Sequence, residues 1–327
     1  MRRAVRELWD VKPESEVKLN IQQALIGYWL DKRPTLSKRT ITDYEHIFRR
    51  LVQFFGDEVE IGDVTADDIR RFLATMRERR RLGNKSVINY QIALSSLWTW
   101  AERELQIKQI IKEISRPRWT PPAIEPLTKS EVMALLAACD HAATWTTRNG
   151  KAAAPSPRTS NLRDRALMLV MIDSGVRVAE LTALSIADFD NKIGRLHVRH
   201  GKGDKSRYLF LGAATQKSLW RYLATRPEAQ ATEALFCSRS GTPLNSDNVR
   251  HLIARCAKRA GIERHVHPHM FRHTFAITFL RNGGSVLELQ AMLGHANLET
   301  VRIYAKLAQI DLREAQRRAS PADNWRL

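Results

Sequence analysis

Only three cysteines, Cys139, Cys237 and Cys256, occur in the 327 residues, and none stands at C-x-x-C spacing from another. That scarcity excludes a disulfide frame and a thiolate zinc site, and the three read as small apolar packing residues in a reducing compartment. Long apolar runs are missing too: a stretch such as Ala166 to Ile172 is far short of the ~20 residues a membrane-spanning helix needs. The start, MRRAVRELWDVK, carries charge throughout and lacks the apolar centre of a secretory signal. The expectation is a cytoplasmic, nucleoid-associated bacterial protein with no membrane partner. Histidines gather at His265, His267, His269 and His273, yet no carboxylate or cysteine stands at zincin or zinc-finger spacing from them. No metal or other cofactor is expected.

Negative charge is the remaining shortage. Against 35 Asp and Glu stand 53 Lys and Arg, a formal net charge of +18. An excess of this size points to a polyanionic partner, and double-stranded DNA is the economical choice. With 43% hydrophobic and 27% charged residues the chain is composed to fold, and its length suits two cores.

Residues 1–18 read as a flexible basic lead-in, in which Arg2, Arg3 and Arg6 stand near Pro13. Residues 19–114 carry four helical patterns. Ile21, Leu25, Trp29 and Leu30 form the first apolar stripe, and Tyr44, Ile47, Phe48, Leu51, Phe54 and Phe55 the second, which Gly56 stops. Thr65 caps the third, which ends in the basic run Arg77 to Arg81; Ser86 opens the fourth, through Ile88, Ile92, Leu94 and Leu97 to Trp100. Four helices in so short a span make a bundle, with the aromatic residues in its core. Lys38, Arg39, Arg79, Arg80 and Lys85 fall at helix ends and turns, where they can reach phosphates without disturbing packing.

Residues 115–126, SRPRWTPPAIEP, read as an extended linker, because its prolines exclude a regular helix; Arg116 and Arg118 make it basic. A second domain follows over 127–310, with a tail over 311–327. Thr128 and Glu131 match a capping box for a helix to about Asp140, and 144–161 reads as a surface loop. A helix from Asn161 to Ser174 breaks at Gly175. Arg177 and Glu180, three apart, share a helix face, so the carboxylate can steer the guanidinium. Residues 194–211 alternate as a β-hairpin with Lys202 between two glycines at its tip. After two more helices, Pro268 starts a helix that carries His269, Arg272 and His273; Gly294 ends the next and delivers His295, and Asn297 caps the one that carries Tyr304. A cationic, histidine-rich surface beside a lone tyrosine suits phosphodiester chemistry through a covalent tyrosine.

Arg177 in SGVRVAEL, Lys202 in GKGDKSR, His269 and Arg272 in HPHMFRH, His295 in LGH and Tyr304 in VRIYAK together resemble the tyrosine recombinases, or phage-type integrases. The resemblance covers roughly residues 19 to 310. It implies a mainly α fold: an N-terminal four-helix core-binding domain, then a mostly helical catalytic domain with a small antiparallel sheet, the two closing as a clamp on DNA. It implies metal-free, ATP-independent strand transfer. In the chemistry that the resemblance implies, Tyr304 attacks the scissile phosphate to give a 3′-phosphotyrosine and a 5′-hydroxyl. Arg177 and Arg272 grip the nonbridging oxygens, Lys202 protonates the leaving oxygen and His295 hydrogen-bonds the phosphate. His269 acts as general base or positions the tyrosine, and Glu180 orients Arg177. Of the histidines, only His269 and His295 are assigned to chemistry. By the same analogy, a homotetramer assembles on paired sites. Such a set serves equally a recombinase of a mobile element or an Xer-like resolution system. A type IB-like topoisomerase, a non-catalytic DNA-binding regulator and a metal-dependent nuclease are the competing readings.

Overall fold

Asn20 begins the first helix by a reciprocal cap, accepting from the Gln23 N–H at 2.8 Å while the Gln23 side chain accepts from the Asn20 N–H. The structure, a computed structural model, describes residues 18–140, 160–199, 206–294, 299–308, 316–317 and 320–321. Contacts divide the chain into two units, Met1–Pro122 and Ala123–Leu327.

The first unit holds α1 (Ile21–Lys32), α2 (Lys38–Phe55), α3 (Ala66–Arg80) and α4 (Asn84–Glu104). Ser37 and Thr65 cap α2 and α3 through their hydroxyls. Tyr28, Phe48, Leu51, Phe72, Leu94, Leu97 and Trp98 are all buried. Tyr28 meets Phe48 and Trp100 edge-on, the arrangement aromatic quadrupoles favour. α1 crosses α4 at Gly27, where a Cβ would stand 2.8 Å from the Trp100 ring. Three apolar positions depart from the sequence expectation, and Phe54 on α2, 36% exposed, is one of them. Leu30 is 78% exposed and does not extend the α1 stripe; Tyr28, three residues after Leu25, faces inward in its place. One residue beyond Trp29 is a turn of about 100° away from the core. Ile92 likewise lies exposed on α4.

The second unit runs α5 (Lys129–Asp140), α6 (Asn161–Ser174), α7 (Val178–Ala183), β1 (Phe189–Asp190), β2 (Arg195–Val198), β3 (Arg207–Phe210), α8 (Ala213–Leu223), α9 (Ser246–Arg259), α10 (Pro268–Arg281), α11 (Val286–Leu293) and α12 (Glu299–Ala308). α6 touches α5, α8 and α10. Its Ala166, Leu167, Met168, Val170 and Met171 are all buried, as a helix packed on several sides requires. The sheet is antiparallel in order β1-β2-β3, with Arg195 opposite Phe210 and Val198 opposite Arg207. β1 is two residues long, too short to alternate visibly in sequence. A smaller apolar cluster joins α10, α11 and α12 through Phe275, Ile277, Leu289, Leu293, Val301 and Tyr304. Among the described residues, no helix is long and apolar enough to cross a membrane.

Candidate active site

The site grows from the break after α6. Gly175 closes that helix with φ of +61°, a conformation that disfavours any side chain. Its carbonyl accepts from Arg272 Nη1 at 2.6 Å. A Cβ there would come within 2.4 Å of the Phe275 ring, so α6 and α10 approach only because the position is glycine.

Two residues on, Arg177 caps α7. Its backbone N–H donates to Glu180 Oε2 at 2.9 Å and its Nη1 to Oε1 at 2.8 Å. The spacing R-x-x-E thus produces a real pair. The same carboxylate also accepts from Arg207 on β3, Nη1 to Oε1 at 3.2 Å and Nη2 to Oε2 at 2.8 Å. Arg207 Nε donates to the Met292 carbonyl at 2.7 Å, and Arg272 Nη2 to the Leu293 carbonyl at 2.8 Å. Two guanidiniums therefore sit on the carboxyl end of α11, where free carbonyls and the helix dipole favour cations.

Arg272 is only 3% exposed and Glu180 6%. Burial, then the nearby Arg177, pushes the Arg272 guanidinium down to about 10, so it stays charged at neutral pH. Burial pushes the Glu180 carboxyl up, but the Arg207 and Arg177 bonds outweigh it and hold it below the ordinary value. Arg177 and Arg207 share the Glu180 carboxylate, while Arg272 donates to the Gly175 and Leu293 carbonyls, so guanidiniums outnumber carboxylates among these described residues. Such a pocket is built for an anion carrying two or more oxygens.

Tyr304 on α12 is 4% exposed within the α10–α12 cluster. Burial raises its phenol above the usual value, opposed by the charges of Arg272 and Arg177. Its Oη lies 2.9 Å from His273 Nδ1. His269, one turn earlier on α10, keeps an exposed surface, and its ring centroid is 6.3 Å from that of His273. Burial, then Arg272 and Arg177, pushes the His269 pKa down. Among the described residues no group of histidines, cysteines and carboxylates could hold a metal ion; the rings of His265, His267, His269 and His273 run in file rather than converging.

Of the six residues singled out for chemistry, Arg177, His269, Arg272 and Tyr304 are gathered at this place. Lys202 and His295 lie outside the described residues, as do most of the 144–161 loop and most of the 311–327 tail. Two participants escaped the sequence reading. In sequence Arg207 has no role beyond its place in the hairpin, although it shares a face with buried Leu209 two residues on. His273 is placed on one helix face with His269 by its i+4 spacing but is assigned no chemistry there.

In the first unit, Lys38, Arg39, Arg79, Arg80, Lys85, Arg116 and Arg118 are all exposed. Arg39 pairs with Asp43 at 3.1 Å, and Lys85 Nζ sits 4.6 Å from the Trp119 ring centroid. Arg39, His46, Arg50, Ser86 and Asn89 line an open cavity of about 510 Å³ on the α2–α4 side.

Comparison with known proteins gives concordant results. Residues 125–310 match the family described as Phage integrase family, and residues 32–107 the one described as Phage integrase, N-terminal SAM-like domain. A tyrosine recombinase XerC of Oceanobacillus iheyensis is 29% identical over 305 residues, covering 90% of this chain and 94% of the relative. Another from Listeria welshimeri is 26% identical over 308 residues, covering 92% and 97%. Among solved structures, the Tn1549 transposon integrase in complex with a circular intermediate DNA superposes with a TM-score of 0.71 at 17% identity, over 88% of this chain and 95% of that one. A lambda integrase dimer bound to a core site gives 0.68 at 17%, over 86% and 96%. At those identities the structural likeness concerns the fold alone.

Proposed function

This chain belongs to the phage integrase family, and on that premise we propose that it is a tyrosine-type site-specific recombinase, cutting and rejoining duplex DNA through a covalent tyrosine. The observation that carries the reading is the pairing of Arg177 and Arg207 on the Glu180 carboxylate with buried Arg272 beside them, one helix away from Tyr304. A scissile phosphate supplies the negative charge that this cluster lacks.

In that reading Arg177 and Arg272 hold the nonbridging oxygens and neutralise the charge that builds up in the pentacoordinate transition state. Each such preorganised donor contributes about 3 kcal/mol. Glu180 and the α11 carbonyls fix both forks before DNA arrives, so little reorganisation remains for the reaction itself. Tyr304 attacks phosphorus, and the 5′-oxygen leaves with a proton from Lys202, a role that suits a mobile ammonium. His295 hydrogen-bonds the phosphate. The phosphotyrosine ester conserves the energy of the broken bond, so a second 5′-hydroxyl rejoins the strand by the reverse step without a nucleotide cofactor. The exposed cations Lys38, Arg39, Arg79, Arg80, Lys85, Arg116 and Arg118 contact the DNA backbone. Four copies on paired sites complete an exchange of strands.

Incubation with a duplex carrying the recombination site, followed by denaturing electrophoresis, tests this. Wild type forms a covalent protein–DNA adduct, and Tyr304→Phe binds the same DNA without forming one. An adduct that persists in Tyr304→Phe refutes the assignment of the nucleophile.

A further inference from the structure

We infer that His273 is a catalytic residue, the acceptor of the proton that Tyr304 must lose when it attacks the phosphate; this rests on the recombinase reading above. His273 Nδ1 stands 2.9 Å from Tyr304 Oη, within hydrogen-bond reach of the reacting atom. The two rings are tilted at 48° to one another and are carried by packed helices. α10 and α12 are clamped by the cluster of Phe275, Ile277, Leu289, Leu293 and Val301, and the ring centroids lie 5.6 Å apart. With the imidazole proton on Nε2, Nδ1 accepts the phenolic hydrogen bond before reaction and the proton during it.

The surroundings make such an acceptor necessary. Arg272 and Arg177 favour the phenolate, yet burial outweighs them and the phenol remains above its usual value. The proton therefore needs a positioned destination. His273 is neutral in the free protein, since burial and then His269, His267 and Arg272 push it down to about 4. A phosphate seated on the guanidiniums cancels part of that positive field and strengthens the base. The nucleophile is thus activated chiefly when the scissile phosphate is present.

The step balances. Tyr304 Oη bonds to phosphorus as the P–O5′ bond breaks; the phenolic proton passes to His273 Nδ1, and O5′ takes a proton from Lys202. Rejoining returns both protons.

The test is single-turnover cleavage of a nicked suicide duplex by the full chain. His273→Gln and His273→Asn should bind that duplex as wild type does but cleave it about 10²–10³-fold more slowly. A 5′-bridging phosphorothiolate, whose thiolate leaves without a proton, should restore Lys202→Ala but not the His273 variants. Fluorinated tyrosine at position 304, with a more acidic phenol, should recover at least about tenfold in a His273 variant and little in wild type. Cleavage by either variant within about threefold of wild type overturns the proposal. So does a defect that fluorotyrosine leaves unchanged, because that is the signature of a structural role. Absence of any Tyr304-dependent adduct from wild type would instead sink the recombinase reading.

Discussion

Replacing Glu180 by Gln tests how this site is held. The carboxylate accepts a backbone N–H and one guanidinium N–H from Arg177, plus two from Arg207, while 6% exposed. Glutamine keeps one acceptor oxygen but turns the other atom into a donor facing cations, and it removes the countercharge that Arg177 and Arg207 share. Breaking a buried ion pair from one side costs about 3–5 kcal/mol. Arg177 keeps a side chain 25% exposed and can turn to water, so a loss of about 2–4 kcal/mol is expected. For a unit of this size that is roughly 5–15 °C in melting temperature. The sign with pH follows from the direction of the shift. Because the folded Glu180 titrates below its ordinary value, its stabilisation is full above about pH 4.3 and fades as pH falls below that. Thermal melts of wild type and Glu180→Gln should therefore differ at pH 7 and converge in acid. Cleavage should fall about tenfold, less than the ~10²–10³-fold expected from removing the Arg177 donor itself. Equal melting temperatures at pH 7, or a gap unchanged by acid, would refute the account of Glu180 as the shared countercharge.

Other outcomes follow from the same contacts. Gly175→Ala places a methyl against Phe275 at a left-handed φ and should destabilise by about 2–4 kcal/mol in urea titration, since strain and overpacking add. The Arg264 guanidinium, with Thr128, holds the Glu131 carboxyl at about 2. A shift of that size corresponds to about 3 kcal/mol unscreened. With Arg264 30% exposed, Glu131→Gln should cost about 1–2 kcal/mol at pH 7, a difference that shrinks as pH falls from about 4.3 towards 2. Trp98→Ala, at the centre of the first unit, should cost about 3–5 kcal/mol there, seen as early loss of the unit's aromatic circular dichroism.

Much of the chain was legible because its signals are local. Thr65 and Asp68, or Thr128 and Glu131, satisfy orphan helix N–H groups within one turn, so their caps appear in sequence and again in space. Gly175 and Gly294 mark helix ends that need positive φ. Arg177 and Glu180 meet across one helical step. The mainly α fold with its small antiparallel sheet, and membership of the phage integrase family, follow from patterns of this kind and from motifs far apart but each compact.

What the sequence by itself could not decide is which partners meet across long separations. Glu180 chooses two arginines, and the second, Arg207, comes from a strand whose inward face depends on its register with β2. Two histidines one turn apart are equivalent by spacing, and only the packing of α12 against α10 brings Tyr304 to His273. Periodicity fixes which face of an element turns inward. The identity of the group across the core is set by the packing of α10, α11 and α12, and that tertiary choice sets His273 Nδ1 beside Tyr304 Oη.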